Sequence, residues 1–253
     1  MDFISTCIDI FTEYYPTILL GVKVTISLAI PGTIIGIILG LLVGGTRSIN
    51  LDKNSNLVIV VIKKIFDLLA KIYIEVFRGT PMMIQAMFIY NMVYLNIFEW
   101  SPYQAGLFVL SINTGAYMAE IIRGGIQSVD KGQIEAARSL GLSSWQTQLY
   151  IVLPQAIKNA FPAIGNEFIV NIKDSSVLSV ITVTDLTFQA KSISGSTFAI
   201  EETYFIIALV YLCLTLATSY LLNRIEKRYN KKQTSFPQSD TNINSIELTT
   251  ERI

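Results

Sequence analysis

The chain has 253 residues, 51% of them hydrophobic and only 15% charged, whereas soluble domains carry about 25% charged residues. Nineteen basic and nineteen acidic residues cancel, so no bulk attraction to nucleic acid or to an anionic surface is implied. There is no histidine, which removes the commonest metal ligand and general base. Cys7 and Cys213 are far apart and no CxxC or zinc spacing exists, so both cysteines are read as packing residues and no metal is expected.

The apolar residues are distributed in long runs. Val24–Gly45, Pro81–Phe98, Pro102–Ala119 and Tyr204–Asn223 each contain no charge, and a membrane span needs about 17–25 mostly apolar residues. Residues 1–16 precede the first run. Asp2, Asp9 and Glu13 stand where a secretory signal would be basic, and residues 3–14 are predicted to form a short interfacial helix. The first span covers about 17–45. It carries Gly32, Gly36, Gly40 and Gly44 at every fourth position, a stripe that lets helix backbones approach closely, and packing within the chain is the favoured use of it. Pro31 is a candidate kink.

Residues 46–56 read as a polar loop. Residues 57–77 have a helical pattern but carry Lys63, Lys64, Asp67, Lys71 and Glu75, so they are read as an amphipathic helix entering the membrane at Arg78-Gly79-Thr80-Pro81. The second span is placed at about 81–98 and the third at about 104–122. A polar loop follows over about 123–158. The fourth span, about 161–183, escapes hydropathy alone because it holds Asn166, Glu167, Asn171, Lys173 and Asp174. A polar loop over about 184–202 leads to the fifth span, about 204–223. Residues 230–253 are rich in Ser, Thr, Asn and Gln and are read as a disordered tail.

Loop charges orient this arrangement. Arg47, Lys53, Lys63, Lys64, Lys71 and Arg78 lie between the first two spans, and Arg224, Lys227, Arg228, Lys231 and Lys232 follow the fifth. The chain before Lys23 has neither Lys nor Arg. The positive-inside rule then places the N-terminus outside and the C-terminus and the 123–158 loop in the cytoplasm.

That loop contains Glu135, Ala136, Ala137, Gly141, Ile151, Leu153 and Pro154, the pattern E-A-A-x3-G-x9-I-x-L-P. Residues 132–140 read as one short helix with Gly141 just past its end. Ser143 with Gln146 is a capping-box signature for a second helix, on which Trp145, Leu149 and Val152 follow at helical spacing. The pattern resembles the EAA loop of ABC importer permeases. Glu75-x-Phe77-Arg78-Gly79-Thr80-Pro81 with Gln85, the run Ala116-Tyr117-x-Ala119-Glu120-Ile121-x-Arg123-Gly124-Gly125-Ile126, and Ile164-Gly165-Asn166-Glu167-Phe168-Ile169 followed by Lys173-Asp174-Ser175-Ser176 resemble segments of the polar amino-acid branch of that family.

The resemblance implies an all-α membrane protein of about five transmembrane helices, a type I ABC importer permease-like bundle over residues 17–229, in a bacterial inner or plasma membrane. It implies a separate ATPase subunit carrying ATP and magnesium and touching this chain at the EAA loop. It also implies an external amino-acid-binding protein, a second permease subunit (identical or not) and a polar amino acid as cargo. Membrane lipid would surround the bundle, with no nucleic acid, no cofactor and no catalytic residue in this chain.

A charge at the bilayer centre costs about 2.5–3.5 kcal/mol on insertion scales, so intramembrane polar residues mark candidate sites. Glu167, Asn171 and Asp174 share one helical face, and Asn166 and Lys173 a neighbouring one. Asn113, Tyr117 and Glu120 recur at i, i+4 and i+7, and Arg78 and Gln85 are seven apart. These residues are candidates for a translocation path. The competing use is a set of buried pairs that hold the bundle together. Of the other function classes, an enzyme lacks any nucleophile or metal motif. A self-powered pump lacks a GxxxxGK[ST] phosphate loop. A secondary transporter or channel, like a purely structural subunit, would leave the EAA spacing unexplained.

Overall fold

The structure is a computed structural model that describes residues 2–49, 51, 56–97 and 99–231, and every regular element among them is a helix. Residues 50 and 52–55 of the expected polar loop, and residues 232–253 of the expected disordered tail, lie outside the described residues, while 230 and 231 of that tail instead close the last helix. The elements are α1 (Phe3–Gly40, extended by a π-helical turn Leu41–Gly45), α2 (Leu57–Gly79), α3 (Met82–Asn96), α4 (Pro102–Gln127), α5 (Lys131–Ser139), α6 (Ser144–Thr147, followed by a π-helical turn Gln148–Val152), α7 (Leu153–Asp174, followed by a 3-10 turn Ser175–Ile181), α8 (Leu186–Thr197) and α9 (Ile200–Lys231).

The glycine stripe of α1 is a seam against α4. An added Cβ at Gly32 would meet Leu110, at Gly36 Thr114, at Gly40 Met118 and at Gly44 Ala119. The partners of Gly32, Gly36 and Gly40 advance by four in step with the glycines, so α1 and α4 run in the same direction with their backbones in near contact. Without a hydrophobic drive between helices in lipid, such close van der Waals packing is what holds them. At Gly36 the added carbon would lie 2.5 Å from Thr114 Cγ2.

α7 crosses this pair in the opposite sense. Its start touches the end of α4, where Gly125 faces Ala156 and Ala160. Farther along, the amide of Asn171 donates to Thr33 Oγ1 of α1 at 2.8 Å and its oxygen accepts from Thr114 Oγ1 of α4 at 2.9 Å. One buried amide thus ties three helices. α9 returns along α7, with Leu222 against Gly165.

Four expectations change. The separate interfacial helix over 3–14 is instead the first turns of α1, which is unbroken through Pro16 and Pro31. Ile10 and Ile18, on either side of Pro16, are buried with Leu186, Ala190, Ile193 and Ile206, and a proline costs the helix one hydrogen bond whereas a break in lipid would expose several. The second span is composite. α3 has 15 residues, about 22 Å of helix, against a hydrocarbon core of about 30 Å. α2 supplies the remainder: Lys63 Nζ reaches Arg47 O at 3.5 Å near the end of α1, and Tyr73 Oη donates to Ile112 O at 2.5 Å halfway along α4. The fourth span begins at Leu153 rather than near residue 161, with Pro154 in its first turn, where a missing N–H costs nothing. It ends as an α-helix at Asp174.

The fourth change is that the loop over 184–202 contains α8, which lies across the N-terminal half of α1. Leu186 N donates to Thr25 Oγ1 at 3.3 Å. Asp185 is fully buried and caps α8, accepting from Phe188 N at 2.9 Å and from Tyr211 Oη at 3.3 Å. Burial pushes its carboxyl up to about 6, against the hydrogen bonds from Phe188 and Thr187 and the nearby Tyr211 and Lys191, which act downward.

Two expected outcomes follow from the packing. Gly40→Val would press a branched side chain into the Met118 backbone. Overpacking of this kind costs about 1–3 kcal/mol. Gly40→Val should lower the melting temperature of the purified protein, whereas Gly45→Ala, with open space at its Cβ, should not. For Asp185, the folded pKa lies above the unfolded value of about 3.9. Its protonated form is therefore the one the fold favours, and that stability is complete below about pH 4 and lost as pH rises through about 6. Wild type should melt higher at pH 5 than at pH 7.5, by an amount worth about 1.4 kcal/mol. Asp185→Asn keeps the cap and should flatten that part of the profile; identical profiles in the two proteins would contradict it.

Candidate functional site

The EAA segment forms a helix–turn–helix knob at the end of the bundle where α1 and α4 finish. α5 ends at Ser139 with Leu140 as its cap, and Gly141 follows at φ +85, a left-handed position that suits glycine. Leu142 N donates to Ala137 O at 3.2 Å and Gly141 N to Arg138 O at 3.0 Å, which is the full Schellman stop. Ser143 and Gln146 form the expected reciprocal capping box of α6. Arg138 bonds Ser144 across the turn, and Gln155 Nε2 donates to Gln133 Oε1 at 2.7 Å. The knob is thereby fixed to the first turn of α7.

Its side chains divide into two sets. Ala137 is buried, while Glu135, Ala136, Gly141, Trp145 and Leu149 are exposed. Ile151 and Leu153 are half-buried and Pro154 is exposed. The apolar face expected from Trp145, Leu149 and Val152 is split. The π-helical turn shifts the register, so Val152 enters the core with Ile122, Ile126, Val129 and Ala156, while Trp145 stays 57% exposed. An exposed acid, an exposed indole and a glycine without steric cover form a surface that can receive another protein.

The polar residues of the spans separate into three groups. The first centres on Glu120. Arg123 approaches it at 2.6 Å, Arg47 at 3.4 Å and Arg78 at 3.9 Å, and the Arg78 guanidinium also sits 5.3 Å from the centre of the Tyr117 ring. Three cations surround one carboxylate, leaving two positive charges in excess. The second group is an amide cluster: Asn113 Nδ2 donates to Gln85 Oε1 at 2.9 Å and to Phe77 O at 3.2 Å, and Gln85 Nε2 donates to Thr80 Oγ1 at 2.7 Å. It closes the backbone groups opened where α2 gives way to α3. The third is the Thr33–Asn171–Thr114 bridge described above.

The stripes read along single helices therefore do not each serve one site. Asn113 and Glu120 belong to different clusters, and so do Arg78 and Gln85. Asn171 turns into the core, while Glu167 and Asp174 on its helix are half-buried, and Asn166 and Lys173 are exposed. Glu167 lies within electrostatic reach of Asp174 and Arg78. Among the described residues, Glu167, Lys173 and Asp174 form no ion pair within 4.0 Å. Among the described residues there is also no cluster of His, Cys, Asp and Glu that could hold a metal ion.

Thr33, Thr114 and Asp185 escaped the sequence reading, and Arg47 entered it only as a loop charge. Asp185 carried a legible signal, an acid three residues before Phe188 at a helix start. Arg47 lies 73 residues from Glu120, and no local spacing links them.

Comparison with known proteins places this geometry. Residues 57–231 match the family described as binding-protein-dependent transport system inner membrane component. The glutamine transport system permease protein GlnP of Escherichia coli K12 is 37% identical over 215 residues, covering 84% of this chain and 93% of that protein. The probable glutamine ABC transporter permease protein GlnM of Bacillus subtilis 168 is 43% identical over 159 residues, covering 63% and 74%. A crystal structure of an amino acid ABC transporter superposes with a TM-score of 0.77 at 41% identity, over 90% of this chain and 99% of that one. The MetNI methionine ABC transporter in an inward-facing form shares the fold, at a TM-score of 0.67 and 16% identity. This chain is a member of the binding-protein-dependent transport system inner membrane component family.

Proposed function

We propose that the chain is the permease subunit of an ATP-driven importer for a polar amino acid, forming half of the path through a bacterial inner or plasma membrane. The observation that carries this reading is the exposed Glu135–Gly141–Trp145 knob, clamped to α7 and set at the same end of the bundle as the Glu120 cluster. A separate ATPase subunit, holding ATP and magnesium, would grip the knob. Because the knob continues without interruption into α7, its displacement would move α7 against the α1–α4 seam. Docking and cargo binding would then be coupled reciprocally. An external binding protein would deliver the amino acid, and a second permease subunit would complete the path. The chain itself would catalyse nothing. The relatives named for glutamine make that amino acid the first to assay.

The knob end faces the cytoplasm in this reading, with the N-terminus outside. The support is the basic residues Arg47, Lys63, Arg123, Lys131 and Arg138 at that end. In a chain with Cys7 and Cys213 replaced by serine, Ser139→Cys should react with an impermeant thiol reagent only after permeabilisation. Labelling there should block association with the ATPase, and Gly141→Asp and Glu135→Lys should each lower transport at least tenfold with normal membrane yield. Labelling of intact cells, or wild-type transport in both variants, would remove the docking assignment.

The Glu120 cluster is the proposed contact for the zwitterion. Its guanidinium partners have side chains 22–41% exposed, so water can solvate them if the carboxylate is lost. Glu120→Gln should therefore leave complex yield normal while transport falls about tenfold or the order of substrate preference changes. Loss of the folded complex would instead assign Glu120 to holding the bundle together.

A further inference from the structure

Two concavities adjoin at the knob end. One, of about 440 Å³, is apolar, with Ile59, Ile62 and Phe66 of α2 facing the indole of Trp145. The other, of about 1140 Å³, is basic, with Arg47, Arg123, Lys131 and Arg138 in its wall. They share Ile49, Leu51 and Ser144. Glu120 offsets part of the charge of Arg47 and Arg123, and Arg138 is bonded to Ser144, but among the described residues no acidic side chain lines the basic cavity. Two of its residues also carry polar atoms in want of partners: the hydroxyl of Thr147, a residue 2% exposed, and Nε2 of Gln148 are shielded from solvent and unbonded among the described residues.

We propose that an anionic phospholipid occupies this paired site. Its phosphate sits between Lys131 and Arg138, and an acyl chain lies along Ile59, Ile62 and Phe66 against Trp145. The chemistry fits both halves. Guanidinium forks match phosphate oxygens, and basic pockets beside membrane helices take acidic head groups. A free phosphate would fill only the basic half and leave the apolar wall wet. The neighbouring Leu57 and Val58 are exposed and apolar at the start of α2, so lipid can reach the slot from the bilayer. Because Trp145 and Ser144 belong to α6, the lipid would brace the knob against α2, which makes the position of the coupling surface sensitive to head-group charge.

The test uses the full chain in nanodiscs of phosphatidylcholine alone or with a minor share of phosphatidylglycerol, and native mass spectrometry after partial delipidation. Phosphatidylglycerol should be retained in preference to phosphatidylcholine. Lys131→Gln combined with Arg138→Gln should lower that retention about tenfold or more, and Lys131→Arg with Arg138→Lys should preserve it. Ile62→Asn should weaken retention of the lipid without changing the charge. Equal retention of the two lipids, or no effect of removing both charges, would overturn the proposal. Displacement of phosphatidylglycerol by inorganic phosphate would overturn it in favour of a soluble anion. Retention of lipid is read without transport or an ATPase, so this result stands apart from the permease assignment.

Discussion

The contact between α1 and α4 sets the geometry of everything else in this protein. Four glycines, one per turn, bring two parallel backbones close enough that a single methyl group would collide with the opposing chain. In lipid there is no expulsion of water to pull helices together, so contact area and hydrogen bonding must do it. Parallel alignment also determines connectivity. Two helices running the same way must be joined by a return passage, and α2 with α3 provides it, in two pieces, with the Gln85–Asn113 amide pair repairing the backbone at the junction.

Onto this seam α7 is bolted by Asn171. Its amide uses both donor and acceptor capacity, and its partners come from two other helices. The cost of leaving such a group unpaired in an apolar interior makes the three-helix register specific. α7 is also the direct continuation of the EAA knob. The same helix that is tied to the seam at Asn171 is tied to the knob at Gln155, so a push on the knob and a change at the centre of the bundle are linked by covalent and hydrogen-bonded structure.

The charged residues follow a different logic from the amides. Glu120 is only partly covered, and its three arginines keep contact with water. Ion pairs of this exposure contribute little to stability. A site with two surplus positive charges and solvent access suits a ligand or a moving part better than a structural rivet. The deeply buried polar groups, Asn171 and Asp185, are by contrast satisfied by fixed neighbours and define helix positions.

What the sequence alone determined was local. Composition and apolar runs specified a helical membrane protein. The spacing from Glu135 to Pro154 specified two short helices about a glycine, because capping and the left-handed stop at Gly141 depend on residues within a few positions of one another. The every-fourth glycines specified a close helix contact, since a small-residue stripe has little other use. What the sequence could not determine were relations between distant segments. Nothing local shows that Arg47 meets Glu120, that Asn171 faces Thr33 rather than the stripe of Glu167 and Asp174, or that Ile10 and Ile18 carry α1 through Pro16. Those outcomes rest on which helix faces meet. Helical periodicity places residues on a face, but only tertiary packing decides whether that face meets lipid, a charge or another backbone.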